Sequence, residues 1–383
     1  MKLAWGEDEE AFRDELVRFL DARAPAEAKG LDWGARDRSE GQVIPQWARD
    51  WQATLFDHGW LVPGYPRELG GRDATPLQTL LYVDELAARG IPRSLHFPGY
   101  AIVAPSLLDH GDDRQRGLAP AALRGDTVWC VGMSEPGAGS DLAGLSTRAI
   151  LDGDHFVVTG QKVWTSYAME ADMCLCYVRT NPDAPKHKGI SALLVDMATP
   201  GIDVRPLRHL TGAAEFAEVF FADVVVPRAN LLGPLDDGWR ITVGSLAHER
   251  GGLWVQGVAT AEGALRDLVA LAHERGRNTD PVVRRRLAEG AQRIRSLRAL
   301  GYKGFATLAA TGSSPEHAYL KLATSELSKQ LFELGVELAG PYEGRWAHSF
   351  FMSFAATIAG GSSEIQRNII AERVLGLPRE PSP

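Results

Sequence analysis

The sequence predicts an α+β protein in which a helical segment, a β-rich segment and a second helical segment follow one another. Three observations predict it. Apolar residues recur at helical spacing through the first ~120 positions, short β-branched runs separated by Gly, Pro, Asn or Asp begin near Asp126, and helical spacing returns at Gly238. The βαβα alternation of a doubly wound parallel sheet is missing, which excludes that class. We therefore expect an N-terminal helical domain over 1–123, a middle β-domain over 124–232 and a C-terminal helical domain over 233–383.

Each element has a local reason. In "EDEEAFRDELVRFLDARA", Phe12, Leu16, Phe19 and Leu20 share one helical face, and the acids fall in the first turn, where the helix dipole favours them. The segment "TPLQTLLYVDELAARG" carries both ends of a helix: Thr75 to cap, Pro76 to open, Gly90 to close. "TVWCVGM", "RAILDGDHFVVTG", "ADMCLCYVRT", "GISALLVDM" and "AEVFFADVVVP" read as strands, and the Asp-Gly step in "ILDGDHFVV" marks a hairpin. Helices resume at "GWRITVGSLAHERGG" and continue through "PVVRRRLAEGAQRIRSLRALGYKGFA", "HAYLKLATSELSKQLFELGVELAG" and a closing helix after "IAGGSS".

Composition narrows the function. A net charge of -8 and a pI near 5.7 argue against nucleic-acid or anionic-membrane partners. The basic run "RRRLAEGAQRIRSLR" reads as a solvated or subunit-facing helix side. No apolar run reaches the ~18 residues of a membrane span, and the acidic N-terminus does not resemble a secretory leader, so a cytoplasmic location without membrane insertion is expected. Cys130, Cys174 and Cys176 have no metal-type spacing and read as buried packing residues; no metal is expected.

Four stretches carry chemistry. "MSEPGAGSD" (133–141) puts Gly137, Gly139, Ser134 and Ser140 in a loop leaving a strand, where backbone amides approach a phosphate or ring; alone, it reads more readily as a tight turn. In "GQKVWTS" an extended strand points Trp164 and Ser166 to one face. In "LAHERGGLWVQ", Glu249 lies in an apolar, glycine-bearing helix, where an acid must be paired, protonated or functional. The similar "LAHERGRN" sits at a helix end and reads as solvated. Finally, "IAGGSSEIQR" looks like a helix N-terminus with Ser362 as cap and Glu364 in the first turn, and Ile365, Ile369 and Val374 give that helix an apolar face.

Together and in this order, these stretches resemble the acyl-CoA dehydrogenase family over about Glu7 to Pro378. The resemblance implies an N-terminal helical domain, a middle β-barrel or sandwich domain and a C-terminal four-helix bundle. It implies an FAD-dependent enzyme that oxidises an acyl-CoA thioester to trans-2-enoyl-CoA, with a Glu taking the α-proton and a hydride passing to flavin N5. Carried over by position, Met133, Ser134, Gly139 and Ser140 would line the flavin and its pyrophosphate, Trp164 would wall its ring, and Ser166 would face N5. Ser362, Ser363 and Glu364 would meet FAD from the closing loop, and Ser140, Arg250 and Gly361 would touch the acyl-CoA. An electron-transferring flavoprotein and a homotetramer, or a heterotetramer with a related subunit, are the implied partners.

Two departures matter. Many members place the catalytic Glu just before "GTSQIQ"-like residues, where this chain has Gly360; in long-chain and isovaleryl-type relatives the acid comes from the first C-terminal helix before an Arg, the place of Glu249-Arg250. The resemblance thus implies Glu249 as base, with the Gly360 amide still donating to the thioester oxygen. The partner-facing Arg-x-Phe-Gly and Gln-x-x-Gly-Gly segments are replaced by "ERGRNTDPVV" and "VELAGPYEG", so their contacts to a neighbouring subunit's FAD are not carried over. A non-catalytic or FAD-site-completing subunit of a heteromeric enzyme is the alternative expectation, and an acyl-CoA oxidase, which lacks support from a longer C-terminus, ranks third.

Overall fold

The computed structural model describes residues 5–28, 44–311, 314, 316–340 and 344–379, without the side chains of 245–254, 308–310 and 317. The first helices are α1 (Glu7–Arg23), α2 (Gln46–Asp57), α3 (Pro76–Arg89), α4 (Ala104–His110), α5 (Asp113–Arg116) and α6 (Ala119–Arg124). Strands β1 (Trp129–Gly132), β2 (Arg148–Asp152), β3 (His155–Ser166), β4 (Met173–Arg179), β5 (Ile190–Asp196), β6 (Ile202–Leu207), β7 (Phe216–Pro227) and β8 (Leu231–Leu232) follow. Then come α7 (Gly238–Glu274), α8 (Pro281–Thr311), α9 (Glu316–Ala339), α10 (Gly344–Ala356) and α11 (Ser363–Ile369). The expected helical, β, helical order of an α+β fold is what the chain adopts.

Local chemistry sets the ends. Thr75 accepts from the Gln78 amide while the Gln78 side chain returns the bond, a capping box, and Gly90 closes α3 at a left-handed φ of 64°. The β2–β3 hairpin forms, but Asp152 pairs with His155, so Gly153-Asp154 is the two-residue loop, one position later than the Asp-Gly step. Gly153 supplies the positive φ the turn needs.

The residues cluster into two compact units. One holds α1, α3, the part of α7 beyond Arg250, and α8–α11. Its core is a seam of Leu80, Val255, Val258, Leu268, Leu297, Leu320, Leu327, Leu331, Leu334 and Trp346. The basic run on α8 is used within the unit: Arg298 grips Glu262 at 2.8 Å, Arg286 meets Glu337 at 2.6 Å and Arg293 meets Gln330 at 2.5 Å. Beside Arg298, Tyr302 donates to Asp84 at 2.7 Å, and burial raises that carboxyl above its usual range despite the bond. These groups line a polar cavity of about 460 Å3 between helices of the same unit.

The other unit holds α2, α4–α6 and the sheet, ordered β6-β7-β3-β2-β4-β5-β8 with β1 added in parallel against β4. Cys130 lies opposite Cys174, and all three thiols are free and buried. Hydrogen bonding among the thiols together with burial pushes Cys174 and Cys176 well above a normal thiol, so they stay protonated and unreactive. Among the described residues no helix is long and apolar enough to cross a membrane.

Close packing makes one glycine diagnostic. A Cβ on Gly335 of α9 would lie 2.0 Å from the Trp346 ring of α10. Gly335→Ala is therefore expected to destabilise the chain by about 1–3 kcal/mol through overpacking, read as a lower thermal midpoint. The loss should shrink when Trp346 is also changed to Leu.

Candidate active site

In the sheet unit, the 133–141 loop leaves β1 and turns at Pro136-Gly137, closed by paired amide bonds between Glu135 and Ala138 at 3.0 Å. Its carbonyls are tied inward. The Met133 oxygen accepts from the Lys162 ammonium at 3.1 Å, and the Ser134 oxygen accepts from the Val163 amide at 2.9 Å. Its other groups stay open: the Ser134 and Ser140 hydroxyls have no partner among the described residues, and a Cβ at Gly137 or Gly139 would meet nothing within 4 Å. The loop is thus a tight turn and an open ledge of small residues at once.

What holds the ledge is a residue pair that lies inside two of the sequence stretches but was not singled out there. Glu135 and Lys162 meet at 2.8 Å with side chains 4% and 0% exposed. Glu135 also accepts from the Ser146 amide at 2.6 Å, the Ser146 hydroxyl at 2.9 Å and the Thr147 amide at 2.9 Å. Burial opposes its charge, yet Lys162 and these donors prevail and hold the carboxyl at about 2. The available signal was a lone lysine inside an otherwise uncharged strand stretch, which demands a buried acid.

β3 is not a plain strand at Trp164. Lys162 and Val163 are both buried, the register with β7 shifts between Lys162 and Thr165, and Trp164 takes a left-handed φ of 60°. This corrects the extended-strand argument: a bulge aims the indole. Beyond it, Trp164 is 54% exposed, Thr165 is buried and Ser166 half-buried, so Trp164 and Ser166 both lie off the buried side. The indole rests edge-on against Phe216 at 5.9 Å.

In the helical unit, "IAGGSS" makes a second set of directed donors. Gly360 and Gly361 adopt φ of 65° and 97°. The Gly360 oxygen accepts from Gln366 at 3.0 Å, and the Gly361 oxygen from the Lys321 ammonium at 2.7 Å. The amides of Gly360, Gly361 and Ser362 have no partner among the described residues. Ser362 caps α11 by accepting from the Ile365 amide at 3.3 Å, and buried Ser363 donates to Glu326 at 2.6 Å. Glu364 is exposed, lowered by its own backbone amide and Ser362. The expected apolar face of this helix is corrected: α11 ends at Ile369, its buried residues are Ser363 and Gln366, and Val374 is 43% exposed. The side chains of Glu249, Arg250, Gly251 and Gly252 lie outside the described residues; their backbone belongs to α7.

In the sheet unit, open serine hydroxyls and glycines with room beside them fit a flat, phosphate-bearing cofactor; in the helical unit, by itself, the amides without a partner among the described residues fit an acyl carbonyl. Among the described residues no cluster of His, Cys, Asp or Glu is arranged to hold a metal.

Sequence comparison agrees along nearly the whole length. The chain matches "Acyl-CoA dehydrogenase, N-terminal domain" over residues 6–125, the middle domain over 130–224 and the C-terminal domain over 236–375. The chain belongs to the acyl-CoA dehydrogenase family, whose members are flavin-dependent oxidoreductases. It is 35% identical to acyl-CoA dehydrogenase IpdE1 of Mycobacterium tuberculosis, covering 98% of this chain and 99% of that one. It is 39% identical to acyl-CoA dehydrogenase FadE34 of the same organism, over 89% of this chain and 48% of that protein. Among solved structures it resembles the Tcur3481-Tcur3483 steroid ACAD, with TM-score 0.84, 29% identity and coverage of 99% and 100%. It also resembles the ChsE4-ChsE5 complex of Mycobacterium tuberculosis, with TM-score 0.81, 31% identity and the same coverage.

The depressed Glu135 acid has a signed consequence. Its folded value lies below the 4.5 of a free Glu, so its contribution to stability is complete above that value and is lost as pH falls toward about 2. Denaturant titrations from pH 6 to pH 2 should show a shallower acid loss for Glu135→Gln than for the native chain. Equal slopes would count against the pair.

Proposed function

We propose that the chain is an FAD-dependent acyl-CoA dehydrogenase subunit that converts an acyl-CoA thioester to the trans-2-enoyl-CoA, within the domain division 1–123, 124–232 and 233–383. The observation that carries the reading is the "IAGGSS" loop, whose carbonyls are fixed by Gln366 and Lys321 while three successive amides are left to donate.

An α-proton of a thioester is weakly acidic, so its removal requires a placed base and a donor for the oxygen that gains charge. On this reading Glu249 takes the α-proton, Arg250 orients the acid or the thioester, and the Gly360 amide donates to the carbonyl oxygen, with Gly361 beside it. Met133, Ser134, Gly139, Ser140, Trp164, Ser166, Ser362, Ser363 and Glu364 bind and orient FAD; Ser140 also faces the acyl-CoA. FAD, when bound, supplies the acceptor for the β-hydride, and an electron-transferring flavoprotein reoxidises it.

A bulky acyl chain, such as a steroid side chain, in a mixed tetramer is the form we favour. Two resembling structures carry paired names, and one is titled a steroid ACAD. Within this chain, Arg277 is engaged by Asp280 at 2.6 Å, so it is not held ready for a neighbour's cofactor.

The test is flavin bleaching with a panel of short, long, branched and steroidal acyl-CoAs, with and without a co-expressed relative. Glu249→Gln should abolish bleaching, by about a thousandfold or more in rate, while leaving the yellow colour intact. An unchanged Gln variant sinks the base assignment, and a chain that yellows only with its partner favours the site-completing reading.

A further inference from the structure

We propose that Glu135 and Lys162 are positioning residues for the cofactor: the buried pair fixes which side of the 133–141 loop is offered to FAD. The inference rests on the flavoprotein reading above.

A buried ion pair is weak evidence for stability, because desolvating two charges costs about what their attraction returns and an apolar pair of similar volume often serves as well. The placement of this one points to loop geometry instead. Lys162 sits two residues before Trp164 and holds the Met133 carbonyl. Glu135 sits within the open loop and draws in the Ser146 and Thr147 amides. The opposite edge of the same segment is clasped by Arg179, whose guanidinium donates to the oxygens of Ala143 at 2.6 Å, Leu145 at 3.3 Å and Lys186 at 2.8 Å.

Segment 133–147 is therefore held from its amide side by a carboxylate and from its carbonyl side by a guanidinium. With the Met133, Ser134, Ala143 and Leu145 carbonyls and the Ser146 and Thr147 amides assigned inward, what remains to meet a ligand is the Ser134 and Ser140 hydroxyls, the Gly137, Gly139 and Ser140 amides, which have no partner among the described residues, and the bare edges of Gly137 and Gly139. Glycines make room for the clasp. A Cβ on Gly132 would stand 3.2 Å from the Lys162 stem, and one on Gly160 would stand 2.6 Å from the Thr147 hydroxyl. Neither residue of the pair touches the reacting atoms; they act through the loop and through the strand that carries Trp164.

The experiment uses the full chain stripped of flavin, with Glu135→Gln, Lys162→Met, the double variant and the shortened but still charged Glu135→Asp. FAD itself is the probe, titrated by flavin fluorescence at a temperature where each variant keeps native circular dichroism. Expected is a rise in FAD Kd of about tenfold or more in every variant. Removing both charges should return the double variant's melting midpoint toward the native one while its Kd stays high. Hydrogen exchange in peptides covering 133–147 of the flavin-free protein should quicken in the same variants, a readout that needs no cofactor and includes any variant that folds poorly with FAD. Native FAD affinity in variants that melt earlier would overturn the proposal and leave a purely stabilising pair. If the native chain, alone and with its co-expressed relative, takes up no FAD, the flavoprotein reading falls and the pair's role falls with it.

Discussion

A carboxylate and an ammonium closed off from water 2.8 Å apart impose the constraint on which the sheet unit's open face depends. Neither charge is tolerable alone at such burial, so wherever Lys162 is placed by β3, Glu135 must follow, and the loop that carries Glu135 must follow it. That requirement explains why the loop after β1 is drawn against β3, 27 positions on. It also explains why the loop keeps its shape with so few side chains of its own: glycines, serines and a proline contribute little packing, and a single acid gathers four donors.

The glycine loop before α11 solves a similar problem by other means. There the fixed groups are carbonyls, held by Gln366 from within the same helix and by Lys321 from α9. In both loops polar groups are divided into those satisfied by the protein and those left to donate outward. The fixed Gly360 and Gly361 carbonyls share peptide planes with the Gly361 and Ser362 amides, so those two donors need not reorganise when charge develops opposite them, which is where such donors gain their advantage over water. Ser363 and Glu326 extend the hold into α9, so the loop's position is referred to a long helix rather than to neighbouring turns.

Much of the architecture was legible because it follows local rules. Thr75, Pro76 and Gly90 mark the ends of α3, alternation marks the strands, and Ser362 marks the start of α11, each decided by residues within a few positions. The loops of the candidate site were legible as turns and a helix start, and their detailed geometry less so. Trp164 and Ser166 were placed on one side by assuming an extended strand, whereas a register shift and a left-handed residue accomplish it; bulges arise from cross-strand pairing, which a single segment does not encode. Glu135 and Lys162 escaped for the same reason. The lone lysine signals a buried acid without saying which, and only a contact spanning 27 positions identifies Glu135. The α11 face was misjudged because Val374, nine positions after Ile365, falls on the opposite side of an α-helix, and the α-helical hydrogen bonding gives way to a π-turn over Ile370–Val374.

The backbone at residue 360 suits glycine. With φ at 65°, a side chain there carries a left-handed penalty of about 1–2 kcal/mol, and the next residue, at 97°, is stricter still because a Cβ on Gly361 would sit 2.7 Å from the Gln366 amide. The carbonyls of 360 and 361 accept from Gln366 and Lys321, and their amides have no partner among the described residues. On the proposed reading, glycine at 360 avoids that penalty while its amide still donates. A carboxylate on α7, whose right-handed backbone costs Glu249 nothing, meets no such conflict. On the proposed reading, separating the base from the oxyanion donor lets each occupy the backbone conformation its task requires.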